Sequence, residues 1–367
     1  MQKCINCNIN LSNITNSEEH ILPHSIGWKT AVTGIFCKEC NEKFGKSIDH
    51  AMFENFRFPA TVLNVYREND RNIPGMRLYS KTSSDYIWLL PGGSIKRASP
   101  IQKISDNIWR LYAETKEQLN KLVNSFIKKK SDVKIEEIEN DQSILAPEDY
   151  HTTEIKWFTG NSDVLKSLIK SAMVFYLQKE NIPQFIEKIP ALLAGINAGG
   201  KAYPIVFKQL NPEPITAHSV YHTIYLIGSL QNKMLASIIE LFSTYRYFIL
   251  LNNNYPGLDL CVSHSQNCIT GQEYTLTKTY RIEDFRNDVN LSIEERSMGF
   301  QKEIRPLKKL LNNIILNKLL NKKLDFELFD IPKGTEITQE IIDKIDAAQD
   351  FTRSENRSFD TLNRGSV

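Results

Sequence analysis

Residues 37–50 read "CKECNEKFGKSIDH": a Cys-x-x-Cys pair, an asparagine directly after it, then an acid and a histidine at the end. A second pair, Cys4-x-x-Cys7, stands close to the start of the chain. Two such knuckles offer four thiolates, Cys4, Cys7, Cys37 and Cys40, to one tetrahedral ion at Zn–S distances of roughly 2.3 Å, which is the ligand set of structural zinc. The 29 residues between the pairs exceed the loop of a simple zinc ribbon, so a segment with its own purpose is inserted there. That insert, "NINLSNITNSEEHILPHSIGWKTAVTGIF", opens polar, passes through the strand-like "EEHILP", turns at Gly27 and ends in the β-prone "TAVTGIF". After Cys40, "NEKFGKSIDHAMFENF" is expected to start a helix.

Glu19-His20-Ile21-Leu22-Pro23, Gly27 and Cys37-x-x-Cys40-Asn41-x-x-Phe44-Gly45 together resemble the HNH endonuclease pattern, in the branch with a four-cysteine zinc framework. The resemblance is confined to the N-terminal seventh or so of the chain. It implies a ββα-metal module in which His20 is the general base, while Glu19 and Asn41 hold a catalytic divalent ion. Phosphodiester hydrolysis needs an activated water and a cation to neutralise charge growing on the phosphate. A neutral imidazole suits the first task. Carboxylate and amide oxygens suit Mg²⁺ or Mn²⁺ for the second, leaving zinc as scaffold.

The chain departs from the pattern on the second strand, where "TAVTGIF" has no asparagine to fix the base-bearing loop and Thr33 is the stand-in. Neighbouring strand residues point to opposite faces, so Glu19 and His20 converge on one phosphate only if the strand bends or ends there. Asn41 also suits the N-cap of the helix it precedes. His24 reads as a loop histidine, and Asp49 as a packing or hydrogen-bonding residue.

Composition sets the class. The chain has 367 residues, 41% hydrophobic and 24% charged, enough for a sizeable core. Lys+Arg 45 against Asp+Glu 43 leaves +2, so no global cationic field announces nucleic acid and any basic surface is local. No apolar run reaches a membrane span, the start is polar, and cysteines in knuckles favour metal over disulfides; the expected location is cytoplasmic.

The fold class expected is α+β: a zinc-stapled HNH module over 1–56, a small β-rich α+β domain over 57–150, an α+β domain with an antiparallel sheet over 151–330, and a polar tail over 331–367. "GMRLYS", "DYIWLLPGG", "SIKRASPIQKI" and "NIWRLYAET" alternate as strands. A helix follows from the Thr115/Gln118 capping pair to Lys128-Lys129-Lys130. Val164, Leu165, Leu168, Ile169, Ala172, Met173 and Tyr176 mark an amphipathic helix, and a shorter one is expected from Pro183 to Leu193. "VYHTIYLIGSL", "KMLASIIELF" and "TYRYFILLNNN" read as successive antiparallel strands. Tyr245-Arg246-Tyr247 is read as core before base-stacking, and Cys261, His264 and Cys268 as a loop cluster short of a fourth metal ligand. Ser292 and Glu295 form a capping box that launches a helix interrupted at Pro306, whose outer face is basic. Lys29, Lys308 and Lys309 are the candidate nucleic-acid contacts.

The expected function is a metal-dependent endonuclease acting on DNA, with RNA as the other substrate the pattern allows, in the manner of bacterial anti-phage defence nucleases. Cutting both strands would call for a homodimer. Two alternatives stand beside it: a catalytically decayed zinc-ribbon nucleic-acid-binding protein, and a nuclease gated by a small-molecule or protein activator sensed in the C-terminal domains.

Overall fold

The computed structural model describes residues 3–12, 14–68, 73–80, 85–105, 108–111, 113, 116–128, 162–180, 182–186, 201–205, 209–285, 288 and 290–329. The N-terminal ββα order is present. β1 (Glu19–His20) and β2 (Ala31–Val32) pair antiparallel, with Glu19 opposite Val32 and His20 opposite Ala31. Between them one 3-10 turn, His24–Ile26, follows Pro23 and ends at Gly27 in the left-handed region, φ 101°. Helix α1 (Lys38–Lys46) is launched by Cys37 in extended backbone at its N-cap. It therefore starts before Cys40, and Asn41 lies in its first turn, the backbone N–H donating to Cys37 O. The N-cap reading of Asn41 is thereby corrected. Helix α2 (Ile48–Leu63) follows after Ser47 and stops at Asn64 in the left-handed region.

Strands β3 (Met76–Ser80), β4 (Asp85–Leu89) and β5 (Ile95–Arg97) form a three-stranded antiparallel sheet, and β6 (Ile101–Ser105) pairs with β7 (Ile108–Leu111). Helix α3 (Lys116–Ile127) falls where the apolar spacing predicts it. Thr115, Lys129, Lys130, the stretch 187–200 and the tail from 330 lie outside the described residues. Of the helix expected from Pro183, the described part is the 3-10 turn Pro183–Phe185.

Helix α4 (Ser162–Lys179) packs on the main sheet, and α2 packs on α4. That sheet is β8 (Lys201–Ile205), β9 (Tyr221–Ser229), β10 (Met234–Leu241), β11 (Tyr245–Asn252), β12 (Leu260–Asn267) and β13 (Glu273–Tyr274) in the antiparallel order β13-β12-β9-β10-β11-β8. The three strands expected in succession are thus β9, β10 and β11. They are buried almost end to end because both faces are covered. One face holds a cluster of Tyr225, Ile238, Phe248, Tyr280 and Phe285; near the sheet's end Phe56 of α2 meets Phe242 and Tyr245. Arg246 is buried in an ion pair with Glu240 at 2.6 Å, which places Tyr245-Arg246-Tyr247 in the core. Cys261 and His264 lie on β12, not on a loop.

Helix α5 (Ile293–Glu303) carries the reciprocal Ser292/Glu295 capping box, and α6 (Arg305–Phe329) follows with Pro306 in its first turn. Met1–Ile315 form one compact unit and Leu316–Val367 a second. The architecture is α+β, and among the described residues no helix is long and apolar enough to cross a membrane.

Candidate active site

The four knuckle cysteines converge. Their sulfurs lie within 4.8 Å of one another, Cys7 Sγ and Cys37 Sγ being 3.6 Å apart. A tetrahedron with Zn–S bonds of about 2.3 Å has edges of about 3.8 Å, so the cage fits structural zinc. Burial raises the Cys4 thiol, but hydrogen bonds from the backbone of Cys37, Cys7 and Asn6 outweigh it and bring it down to about 7. Asn6 Nδ2 donates to Cys40 Sγ at 3.2 Å. At Cys4 these donors favour thiolate, the form that binds metal, whereas burial outweighs the Asn6 bond and pushes the Cys40 thiol up.

Beside the cage lies a cleft of about 270 Å³ lined by Glu18, Glu19, His20, His24, Asn41, Asp49, His50 and Phe53, among others. It brings together all three residues assigned catalytic roles from the sequence. The strand ends at His20, which resolves the facing problem: Glu19 is buried at 3% exposure, while His20 is half-buried and lies 5.0 Å, ring to ring, from His24. Burial and the neighbouring His24 lower the His20 imidazole to about 4. No hydrogen-bond partner holds its ring among the described residues, and Thr33 is exposed. His24 Nε2 accepts the backbone N–H of Glu68 at 3.1 Å. Asn41 Nδ2 donates to Glu18 O at 2.7 Å, clamping α1 to β1 and leaving Oδ1 as the side chain's other polar atom.

Sequence reasoning missed Lys170. It rises from α4 with 0% exposure and donates to Glu19 Oε1 and Asp49 Oδ2, each at 2.5 Å. Burial opposes its charge, yet Asp49 and Glu19 outweigh that and hold the ammonium protonated above the ordinary lysine range. Ser167 Oγ donates to Asp49 Oδ1 at 2.7 Å, so Asp49 packs and hydrogen-bonds as expected. Glu19 Oε2 is buried without a hydrogen-bond partner among the described residues. The signal was present: a lysine in the middle of "SLIKSAMVF", on an apolar face. Arg67 was missed too. Its guanidinium lies 5.7 Å over the Phe53 ring and donates to Ser25 O at 3.4 Å.

The loop between β1 and β2 is docked on the main sheet. His222 donates from Nε2 to Ile26 O at 2.8 Å. Gln266 brackets Gly27 and Lys29, donating Nε2–H to Gly27 O at 2.9 Å and accepting the Lys29 N–H at 2.9 Å. Trp28 is fully buried with its ring 5.0 Å from that of His264. Lys29, Lys308 and Lys309 are exposed, and none lines the cleft.

Residues 4–57 match the model of a family described as HNH endonuclease. The matched stretch holds all four cysteines, the hairpin, α1 and most of α2, and ends far short of Lys170. It makes this part of the chain similar to nuclease modules, whose substrate class is nucleic acid. No curated protein and no solved structure matches the chain.

Proposed function

We propose that the protein is a metal-dependent HNH endonuclease that hydrolyses DNA phosphodiester bonds. The observation that carries this reading is one cleft lined by a histidine and a buried carboxylate, where the imidazole ring and one carboxylate oxygen have no hydrogen-bond partner among the described residues. His20 is the general base, half-buried in the cleft. Glu19 Oε2 and Asn41 Oδ1 are the atoms to hold Mg²⁺ or Mn²⁺; both are hard oxygens, and an orphaned buried carboxylate oxygen fits a cation. Burial pushes the Glu19 carboxyl up against the pull of Lys170; with all three groups ionised, Glu19, Asp49 and Lys170 leave one net negative charge for the cation. An ion held by Glu19 and Asn41 would supply neutralisation of charge on the phosphate and leaving oxygen. Arg67, poised over Phe53, is suited to contact the same phosphate. The zinc cage fixes α1 against the hairpin and takes no part in the chemistry. Work in defence against phage follows from the resemblance, and cutting of both strands from a homodimer.

Supercoiled plasmid incubated at low salt tests this reading. Nicking with Mg²⁺ or Mn²⁺ that EDTA stops is the expected result. Plasmid left intact under every metal condition sinks it.

The second reading, a zinc-scaffolded nucleic-acid-binding protein without catalysis, has one observation in its favour: the Lys170 ammonium already sits between Glu19 and Asp49. It predicts plasmid binding with no nicks.

A further inference from the structure

The small sheet β3-β4-β5 carries a surface that the cleft does not explain. Its register sets Arg77 opposite Trp88, Tyr79 opposite Tyr86 and Lys96 opposite Trp88. Side chains alternate along a strand, so these five residues share one face. The burial agrees. Leu78, Ile87 and Leu89 on the other face are 6%, 0% and 0% exposed, whereas Tyr79, Tyr86 and Trp88 keep 41%, 42% and 39%. Arg77 and Lys96 are exposed as well. The rings of Tyr79 and Tyr86 are 5.1 Å apart, and the Arg77 guanidinium lies 3.9 Å above the Tyr86 ring.

Three large aromatics side by side in water mark a contact surface rather than a core. Tyr245-Arg246-Tyr247 offers the contrast within the same chain: those aromatics are buried and their arginine is tied to carboxylates. On the outer face of β3-β4-β5 the two charged residues named above are both cations and neither side chain is paired with a carboxylate among the described residues. Positive charge interleaved with exposed rings complements a polyanion that also presents flat apolar faces.

We infer that this face binds single-stranded nucleic acid, with bases stacked on Tyr79, Tyr86 and Trp88 and phosphates met by Arg77 and Lys96. Base faces are hidden in a duplex and open in a single strand, so the stacking chemistry selects the latter. The face is rooted on the helix that lines the cleft: Arg57 Nη2 of α2 donates to Gly75 O at 2.8 Å, one residue before β3, and α2 packs against the Pro91–Gly93 turn between β4 and β5. Asp49 and Phe53 of the cleft stand on the same helix, Asp49 about 12 Å from Arg57 at the α-helical rise. The sheet that bears the face is thereby anchored to the helix that carries two of the cleft's residues. The inference deepens the nuclease reading and rests on it for the class of polyanion.

The test is fluorescence anisotropy of the full-length protein in EDTA with oligonucleotides of about 12 nucleotides, within the span of such platforms: single-stranded DNA, single-stranded RNA and the matching duplex. Single strands are expected to bind more tightly than duplex, and the DNA and RNA arms decide which of the two the face takes. Tyr79→Ala and Trp88→Ala are each expected to weaken single-strand binding by about five- to thirtyfold, with duplex binding and melting temperature unchanged. Arg77→Gln and Lys96→Gln are each expected to flatten the slope of log K against log salt by about 0.7. A wild type that binds no single strand, or binds it no better than duplex, overturns the inference. So does a Tyr79→Ala, Trp88→Ala double variant that binds as wild type; the face is then a contact for protein. Because no cleavage occurs in EDTA, intact single-strand binding with no nicking sinks the nuclease reading alone. Nicking with face variants that bind normally sinks the inference alone.

Discussion

Lys170 governs what Glu19 can do. Its ammonium is enclosed between two carboxylates that come from β1 and α2, so the ion triad ties the hairpin and the second helix to α4 behind the cleft. Replacing it with methionine leaves Glu19 and Asp49 uncompensated in a buried place. Lys170→Met is expected to cost about 3–5 kcal/mol of stability at neutral pH, read from denaturant unfolding; a loss under about 1 kcal/mol would contradict the triad's role. His222 makes a second weld. Its Nδ1 accepts the N–H of Phe242 at 3.2 Å while its Nε2 donates to Ile26 O, an arrangement open only to the neutral ring. Burial lowers its imidazole to about 4. The sign follows: a depressed folded-state value gives stability that is complete above the unfolded value of about 6.5 and is lost as pH falls toward 4. The loss from this one group is on the order of 3 kcal/mol, and His20 shifts in the same direction. Urea midpoints measured from pH 7 to pH 4 should fall, and fall less in His222→Gln; equal slopes in the two proteins would refute the assignment.

At the scale of elements, what could be read from the sequence was what is local. Two Cys-x-x-Cys pairs announce their cage because each knuckle is complete within four residues. β9, β10 and β11 announce themselves through successive β-prone runs broken by short turns. The start of α1 was misplaced because Cys37, a metal ligand by spacing, also serves as the helix N-cap. Lys170 escaped because its partners lie 151 and 121 residues away, and a pattern read along one helix does not disclose what packs on it. The β1-β2 loop is a similar case: Gly27 looked like an ordinary turn. In the fold its positive φ coincides with close packing, since a Cβ there would come within 2.6 Å of Cys268 O and 2.8 Å of Val65 Cβ. Gly27→Ala is expected to destabilise the protein by about 2 kcal/mol or more, from the left-handed backbone plus the clash, and to slow nicking by shifting His24 and Ser25. Thermal unfolding and plasmid assays check both; a variant within about 0.5 kcal/mol of wild type would show that the loop is not pressed against the sheet.

For the molecule, the consequence is that the stretch resembling HNH enzymes is not finished by its own residues. Trp28, Ile26 and Gly27 are buried against partners on the main sheet, Tyr66 N–H donates to Cys268 O at 2.7 Å, and a lysine from α4 pairs with Glu19 and Asp49 behind the cleft. Motif spacing could point to an HNH module and its cysteine cage, because both lie within one short segment. It could not disclose that α4 and the main sheet back the walls, with Lys170 behind Glu19 and Asp49 and His222 and Gln266 holding the β1-β2 loop. The central claim is that this assembled cleft cuts nucleic acid with His20 as its base. The measurement that tests it most directly is the plasmid nicking rate of His20→Ala beside wild type, with zinc content determined in both. The account predicts a rate loss of about 10²- to 10⁴-fold with one zinc retained per chain. A variant that nicks within about tenfold of wild type while holding its zinc would remove His20 from the chemistry, and with it the account of the cleft.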